Sequence, residues 1–214
     1  MINKLSPLPN FLISRYKNWK SSTYLKNQKK FSKLASQGQN PTCMIISCCD
    51  SRVHATSLFS ADEGEFFIHR NIANLVPPFL PHGNNYGTSA VIEYALNELK
   101  IKHIIILGHT GCGGIETSYN FHKTGIKKDY VFIYKWLKII SPALKNILKN
   151  ESKNSQLRKL EEESIKNSIK NLFTYPNIKK EVKNENLFVH GLIHDIGSGS
   201  LKYLNPINKK FEAL

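Results

Sequence analysis

The sequence predicts an α/β fold: a central, mainly parallel β-sheet of four strands plus an antiparallel edge strand, flanked by helices. Short apolar runs rich in β-branched residues, such as Met44-Ile45-Ile46 and Ile104-Ile105-Ile106-Leu107, read as buried strands. They alternate with stretches of helical apolar spacing, which implies parallel pairing through right-handed crossovers. The length of 214 residues suits one α/β domain with a full core. No repeat or second domain is visible, so residues 1–214 are read as a single domain with an N-terminal helical arm over about 8–37.

Along the arm, Phe11, Tyr16, Trp19, Tyr24 and Phe31 are spaced as on one or two amphipathic helices. The first strand is expected near 42–48, followed by a short helix over 54–60, a turn at Ala61-Asp62-Glu63-Gly64 and a second strand over 65–71. Pro77-Pro78 and Pro81-His82-Gly83 mark an exposed loop. A helix over 86–99 carries Val91, Tyr94, Ala95 and Leu99 on one face, and a third strand spans about 102–108. Helices are expected at about 111–122, 130–149 and 155–173, the last through Leu157, Leu160, Ser164, Ile165, Ile169 and Leu172. A short helix begins near Pro176, and the fourth strand covers 187–193. Residues 200–204 read as the edge strand after the Gly197-Ser198-Gly199 turn.

Two strand ends concentrate the chemistry. Cys48-Cys49-Asp50-Ser51-Arg52 follows the first strand and His109-Thr110-Gly111-Cys112 the third. In open α/β sheets, ligands bind at the carboxyl ends of strands. A His and a Cys separated by two residues can turn toward one metal ion, and a Cys from the first strand end makes a third ligand. Two thiolates and one imidazole leave a fourth position open, the catalytic form of a zinc site. Cys48, His109 and Cys112 are therefore the expected ligands, with one zinc per chain. Asp50 and Arg52 stand beside that metal, where Arg52 keeps Asp50 ionised and Asp50 can orient a bound water or take its proton. Cys49 alternates away from Cys48 in an extended segment and is read as a packing residue.

Composition excludes other classes. Three of the four cysteines fall within residues 43–49, so a secreted disulfide framework is not expected and a reducing compartment is favoured. The first residues contain no apolar h-region and no run approaches a membrane span, which predicts a soluble cytoplasmic protein. The formal charge of +14 comes mostly from lysines, some beside asparagines as in Lys145-Asn146 and Lys183-Asn184, and only Arg15, Arg52, Arg70 and Arg158 are arginine. Nucleic-acid readers favour arginine for bidentate contacts, so no nucleic-acid partner is expected.

The pairing of Cys-x-Asp-Ser-Arg at 48–52 with His-x-x-Cys at 109–112 resembles the β-class carbonic anhydrases. Gly38-Gln39-Asn40-Pro41, the run from Arg70 to Pro78, Ile92-Glu93-Tyr94-Ala95, Cys112-Gly113-Gly114, Thr174-Tyr175-Pro176 and Asp195 extend the likeness over about residues 25–212. The resemblance implies reversible hydration of carbon dioxide to bicarbonate and a proton, with zinc-bound hydroxide as nucleophile and an Asp50–Arg52 dyad orienting it. It further implies a carbon dioxide pocket of Gln39, Phe67, Ile72, Tyr94 and Gly113. Gln39, Phe67 and Tyr94 would come from the neighbouring subunit of a homodimer or assembly of dimers. In some members the aspartate itself takes the fourth zinc position, favoured by bicarbonate bound at a second site of Trp, Arg and Tyr. The matching positions here are Ile45, Arg70 and His194, so the open arrangement, with Asp50 paired to Arg52, is expected.

Overall fold

A computed structural model of the chain describes residues 5–83, 86–125, 130–145, 147 and 150–214. The chain divides into two compact units, residues 1–40 and 41–214. The first is helical: α1 (Asn10–Trp19) runs into a π-helical turn (Lys20–Tyr24), and α2 (Gln28–Gln37) follows. The hydroxyls of Ser21 and Ser22 both donate to the Asn18 carbonyl, at 3.2 and 2.6 Å. Such back-bonding competes for a ladder acceptor and loosens the helix there. The Tyr24 ring stacks on Phe31 at 5.5 Å and Trp19 meets Phe31 edge-on at 5.7 Å, so part of the arm's aromatic stripe packs within its own unit.

The second unit is built on a six-stranded sheet in the order β2-β1-β3-β4-β5-β6. β1 (Cys43–Cys48), β2 (Phe66–Asn71), β3 (His103–His109) and β4 (Phe188–His194) pair in parallel, as the alternating pattern requires. β5 (Leu201–Leu204) is antiparallel to β4, as expected, but it is not the edge. β6 (Phe211–Ala213) pairs antiparallel with it and takes that place. Three residues after an asparagine-rich turn carry too little alternation to be read as a strand from sequence.

The helices follow their apolar spacing: α3 (Ala55–Leu58), α4 (Tyr86–Asn97), α5 (Gly113–Thr124), α8 (Lys153–Leu172) and α9 (Pro176–Lys183). The helix expected over 130–149 is instead broken into α6 (Ile133–Leu137), a 3-10 turn (Lys138–Ile140) and α7 (Ser141–Leu144), with residues 146, 148 and 149 outside the described set. Pro142 lies at the start of α7. It cannot donate to a preceding turn, so a new helix begins there. No described helix is long and apolar enough to cross a membrane.

All of β1 is buried. Met44, Ile46, Ile104 and Ile106 pack with Ile92, Ala95, Ile165 and Leu172, while Cys43, Ile45, Leu107 and Leu192 pack with Val53 and Ala55. α8 lies close to the sheet because two strand positions facing it lack side chains. A Cβ on Gly108 would stand 2.6 Å from Ile165 Cδ1, and one on Gly191 3.0 Å from Ile165 Cγ2. Ile165→Ala is expected to lower unfolding free energy by about 2–5 kcal/mol, because it removes a fully buried side chain that fills this contact. Urea unfolding of the metal-loaded protein measures it, and a change near zero would mean that the helix collapses onto the sheet.

Candidate metal centre

The strand register sets the site. Cys48 pairs with Asn71 at the end of β1, and His109 pairs with His194 at the end of β3. The chain after β3 turns back through Gly111, at φ +69°, to place Cys112 at the N-cap of α5. The ligand atoms of Cys48, His109 and Cys112 consequently lie within 4.8 Å of one another, all three residues buried. The two sulfurs are 4.0 Å apart.

His109 is oriented by its backbone. Its Nδ1 lies 3.0 Å from the Thr110 carbonyl, which can only accept, so Nδ1 carries the proton and Nε2 keeps its lone pair. Nε2 is buried and has no hydrogen-bond partner among the described residues. A buried imidazole lone pair beside two thiols fits a zinc ion and its preference for sulfur and nitrogen donors. Backbone N–H groups support the thiolates. Asp50 N–H points to Cys48 Sγ at 3.4 Å, and the amides of Gly114 and Ile115 favour charge on Cys112. The Cys48 thiol is pulled down to about 4, first by its hydrogen bond with Cys112 and, against burial, by His109 and the Asp50 and Ala73 amides. The same pairing, with burial, pushes the Cys112 thiol far up. The metal-free pair therefore gives up one proton readily and keeps the other, and a metal that binds both sulfurs displaces the second. Burial opposes charge on His109, but Cys48, the Thr110 carbonyl and Asp50 together raise its pKa.

Asp50 and Arg52 form a two-point pair: Nε donates to Oδ1 at 2.9 Å and Nη2 to Oδ2 at 2.7 Å, with the Arg52 amide adding a bond to Oδ1 at 3.0 Å. These bonds from Arg52 hold the Asp50 carboxyl well below the usual carboxylate range. Asp50 Oδ2 lies 3.9 Å from His109 Nε2, at the margin of the three-ligand cluster. Arg52 Nη2 also donates to the Gly111 carbonyl at 3.0 Å, so one guanidinium joins the two strand ends.

A family model described as carbonic anhydrase matches residues 43–201. Beta carbonic anhydrase 3 of Arabidopsis thaliana is 32% identical over 204 residues, covering 92% of this chain and 77% of that protein. A carbonic anhydrase of Synechococcus elongatus is 30% identical over 193 residues, covering 89% and 69%. Among solved structures, the β-carbonic anhydrase CcaA superposes with a TM-score of 0.87 at 28% identity, covering 95% of this chain and 90% of that one. A tetrameric β-carbonic anhydrase of Sordaria macrospora gives 0.78 at 31% identity, covering 91% and 95%. The chain belongs to the β-class carbonic anhydrases.

In this carbonic anhydrase the residues expected to line the carbon dioxide pocket fall into separate groups. Ile72 opens a tight turn, Ile72–Asn74, in which Ala73 and Asn74 adopt φ of +64° and +48°. The Asn71 side chain accepts from Leu75 N and donates to Leu75 O, both at 2.8 Å. Trp136 Nε1 donates to the Ile72 carbonyl at 2.9 Å. A Cβ on Gly114 would stand 2.8 Å from Ile72 Cγ2, so the turn lies against the start of α5, where Gly113 follows Cys112. Ile72 remains 40% exposed. Phe67 and Tyr94 form a ring pair at 5.9 Å. Phe67 pairs with Met44, back from the ligand end of the sheet, so one chain does not bring this ring pair to the cluster. Gln39 belongs to the N-terminal unit, exposed and next to Gly38 at φ +72°.

Several contacts escaped the sequence. Cys49 is exposed rather than a packing residue, because the chain turns out of the sheet after Cys48. Arg70 fastens that turn: it donates to the carbonyls of Cys48 at 2.9 Å, Asp50 at 2.8 Å and Val53 at 2.9 Å. Ile45 is fully buried within β1. Glu161 is buried on α8 and accepts from the amides of Gly111 and Cys112. Burial pushes its carboxyl up, against Arg158 and those amides. The signal was present in the sequence: the apolar spacing from Leu157 to Leu172 puts Glu161 on the stripe that faces the core.

Proposed function

We propose that this chain catalyses the reversible hydration of carbon dioxide to bicarbonate and a proton at one zinc ion held by Cys48, His109 and Cys112. The observation that carries it is the buried two-thiol, one-imidazole triangle with an ionised carboxylate 3.9 Å from its imidazole nitrogen. Zinc bound there supplies Lewis acidity, lowering the pKa of a water molecule from about 15.7 toward about 7 and offering it as nucleophile. Asp50, held ionised and fixed by Arg52, accepts a hydrogen bond from that nucleophile and sets its direction. Ile72 and Gly113 give an apolar wall suited to an uncharged, linear substrate. Two thiolate ligands donate more charge than imidazoles, so activity should rise with pH.

The decisive measurement is carbon dioxide hydration on purified protein before and after chelation. Activity is expected to fall to the uncatalysed rate when zinc is removed and to return when it is restored. Chelated, zinc-free protein of undiminished activity would end the proposal.

The rest of the pocket we place in a homodimer or an assembly of dimers, with Gln39, Phe67 and Tyr94 supplied by the neighbouring subunit. The separation of the Phe67–Tyr94 pair from the cluster within one chain supports this, as does the relative described as tetrameric. Gln39→Ala is expected to reduce turnover about tenfold, the scale of one lost substrate hydrogen bond, without loss of zinc. A monomer shown by sedimentation to be fully active would refute the shared site. The four unbridged cysteines support a reducing compartment, which we take to be the cytoplasm.

A further inference from the structure

We propose that Glu161 is a positioning residue for the ligand Cys112, fastening the Gly111–Cys112 peptide against the pull of Arg52; this rests on the zinc reading above. Glu161 sits mid-way along α8, flanked by the fully buried Leu160 and the buried Ser164. A carboxylate there is costly unless its oxygens are engaged. Oε1 accepts from Gly111 N at 2.8 Å and Cys112 N at 3.2 Å, and Oε2 meets Arg158 Nη1 at 2.9 Å. The left-handed conformation of Gly111 turns two consecutive amides toward one acceptor, a backbone nest for a negative group.

What this does follows from the geometry of one peptide unit. Cys112 N–H and Gly111 C=O belong to the same trans peptide and point in opposite directions. Glu161 takes the N–H and Arg52 Nη2 takes the C=O at 3.0 Å. The plane preceding Cys112 is thus gripped from both sides, which fixes where its sulfur stands relative to Cys48 and His109. Arg52 also donates to Asp50, through Nε and Nη2. One line of contacts therefore runs from Glu161 through the ligand-bearing loop to the carboxylate beside the metal. Cys112 is the N-cap of α5, so without Glu161 its amide and that of Gly111 would lose their acceptor. Partners that orient ligands in this way commonly change metal affinity by about 10–100-fold when removed.

The test compares the native protein with Glu161→Gln and Glu161→Ala. It reads zinc affinity by chelator competition and the thiolate-to-cobalt absorption band of cobalt-substituted protein. The expected order of affinity is native, then Gln, then Ala, with Ala weaker by about 10–100-fold and its cobalt band altered. Gln keeps an amide oxygen for the nest and should recover most of the loss. A role confined to packing would lower thermal stability in both variants yet leave affinity and band unchanged, and that outcome overturns the inference. If Glu161→Ala does not fold, native affinity and an unaltered band in Glu161→Gln overturn it instead. Absence of zinc binding by the native protein would overturn the metal reading itself, a result separable from the others.

Discussion

Replacing Cys112 with alanine is expected to take the protein from about one zinc per chain to almost none and to reduce carbon dioxide hydration to the uncatalysed rate. The cause is the small number of donors. Three residues make up the described cluster, and the nearest other candidate, Asp50, is committed to Arg52 by three hydrogen bonds. Removing one thiolate leaves two ligands and an apolar gap where a charged sulfur had balanced the ion. Cys48→Ala and His109→Ala should behave alike. Cys49→Ser should keep zinc, since Cys49 is exposed and outside the cluster. The fold should survive in all of them, because Arg70, Asn71 and the strand ladders hold these strand ends through contacts that need no metal. Elemental analysis with circular dichroism reads both results. A folded Cys112→Ala protein with full zinc would mean that the metal lies elsewhere.

Arg52→Ala is expected to keep its zinc and lose about 100-fold or more in turnover, the scale of a positioned acid–base group. Arg52 touches no ligand atom. It fixes both oxygens of Asp50 and keeps that carboxyl ionised. Without it, Asp50 can rotate, and the nucleophile loses its directing acceptor. Asp50→Asn separates the two effects, since it leaves Arg52 free to hold the Gly111 carbonyl while removing the charge. Both variants should fail in hydration with zinc content unchanged. Normal turnover in Arg52→Ala would remove the role given to the pair.

The chemistry was legible because it sits on strand ends. β1 and β3 announced themselves as β-branched runs, and the candidate ligands lie at the ends of those two strands and in the turn after β3. The contacts that hold those ligands were not legible as pairs. Arg70 bonds carbonyls, which carry no sequence identity, and Glu161 reaches the loop from α8 across a separation that no local pattern encodes. Pro142 could have broken the expected helix over 130–149, since proline there cannot donate to the turn before it. β6 was hidden by brevity.

The close seating of α8 on the sheet has a consequence for how this chain can drift. Gly108 and Gly191 leave room on neighbouring strands that Ile165 fills, joined at Gly191 by Ile169. A methyl group gained at Gly108 would meet Cδ1 and Cγ1 of Ile165, and one gained at Gly191 would meet Ile169 Cδ1 as well as Ile165 Cγ2. Positions far apart in the sequence are thus coupled through one helix. Alanine at either glycine costs stability, and trimming isoleucine to valine at 165 does not clear the way, because the Cγ atoms that each new methyl would meet remain; the two glycines thus keep the helix where it holds Glu161 against the Gly111–Cys112 loop.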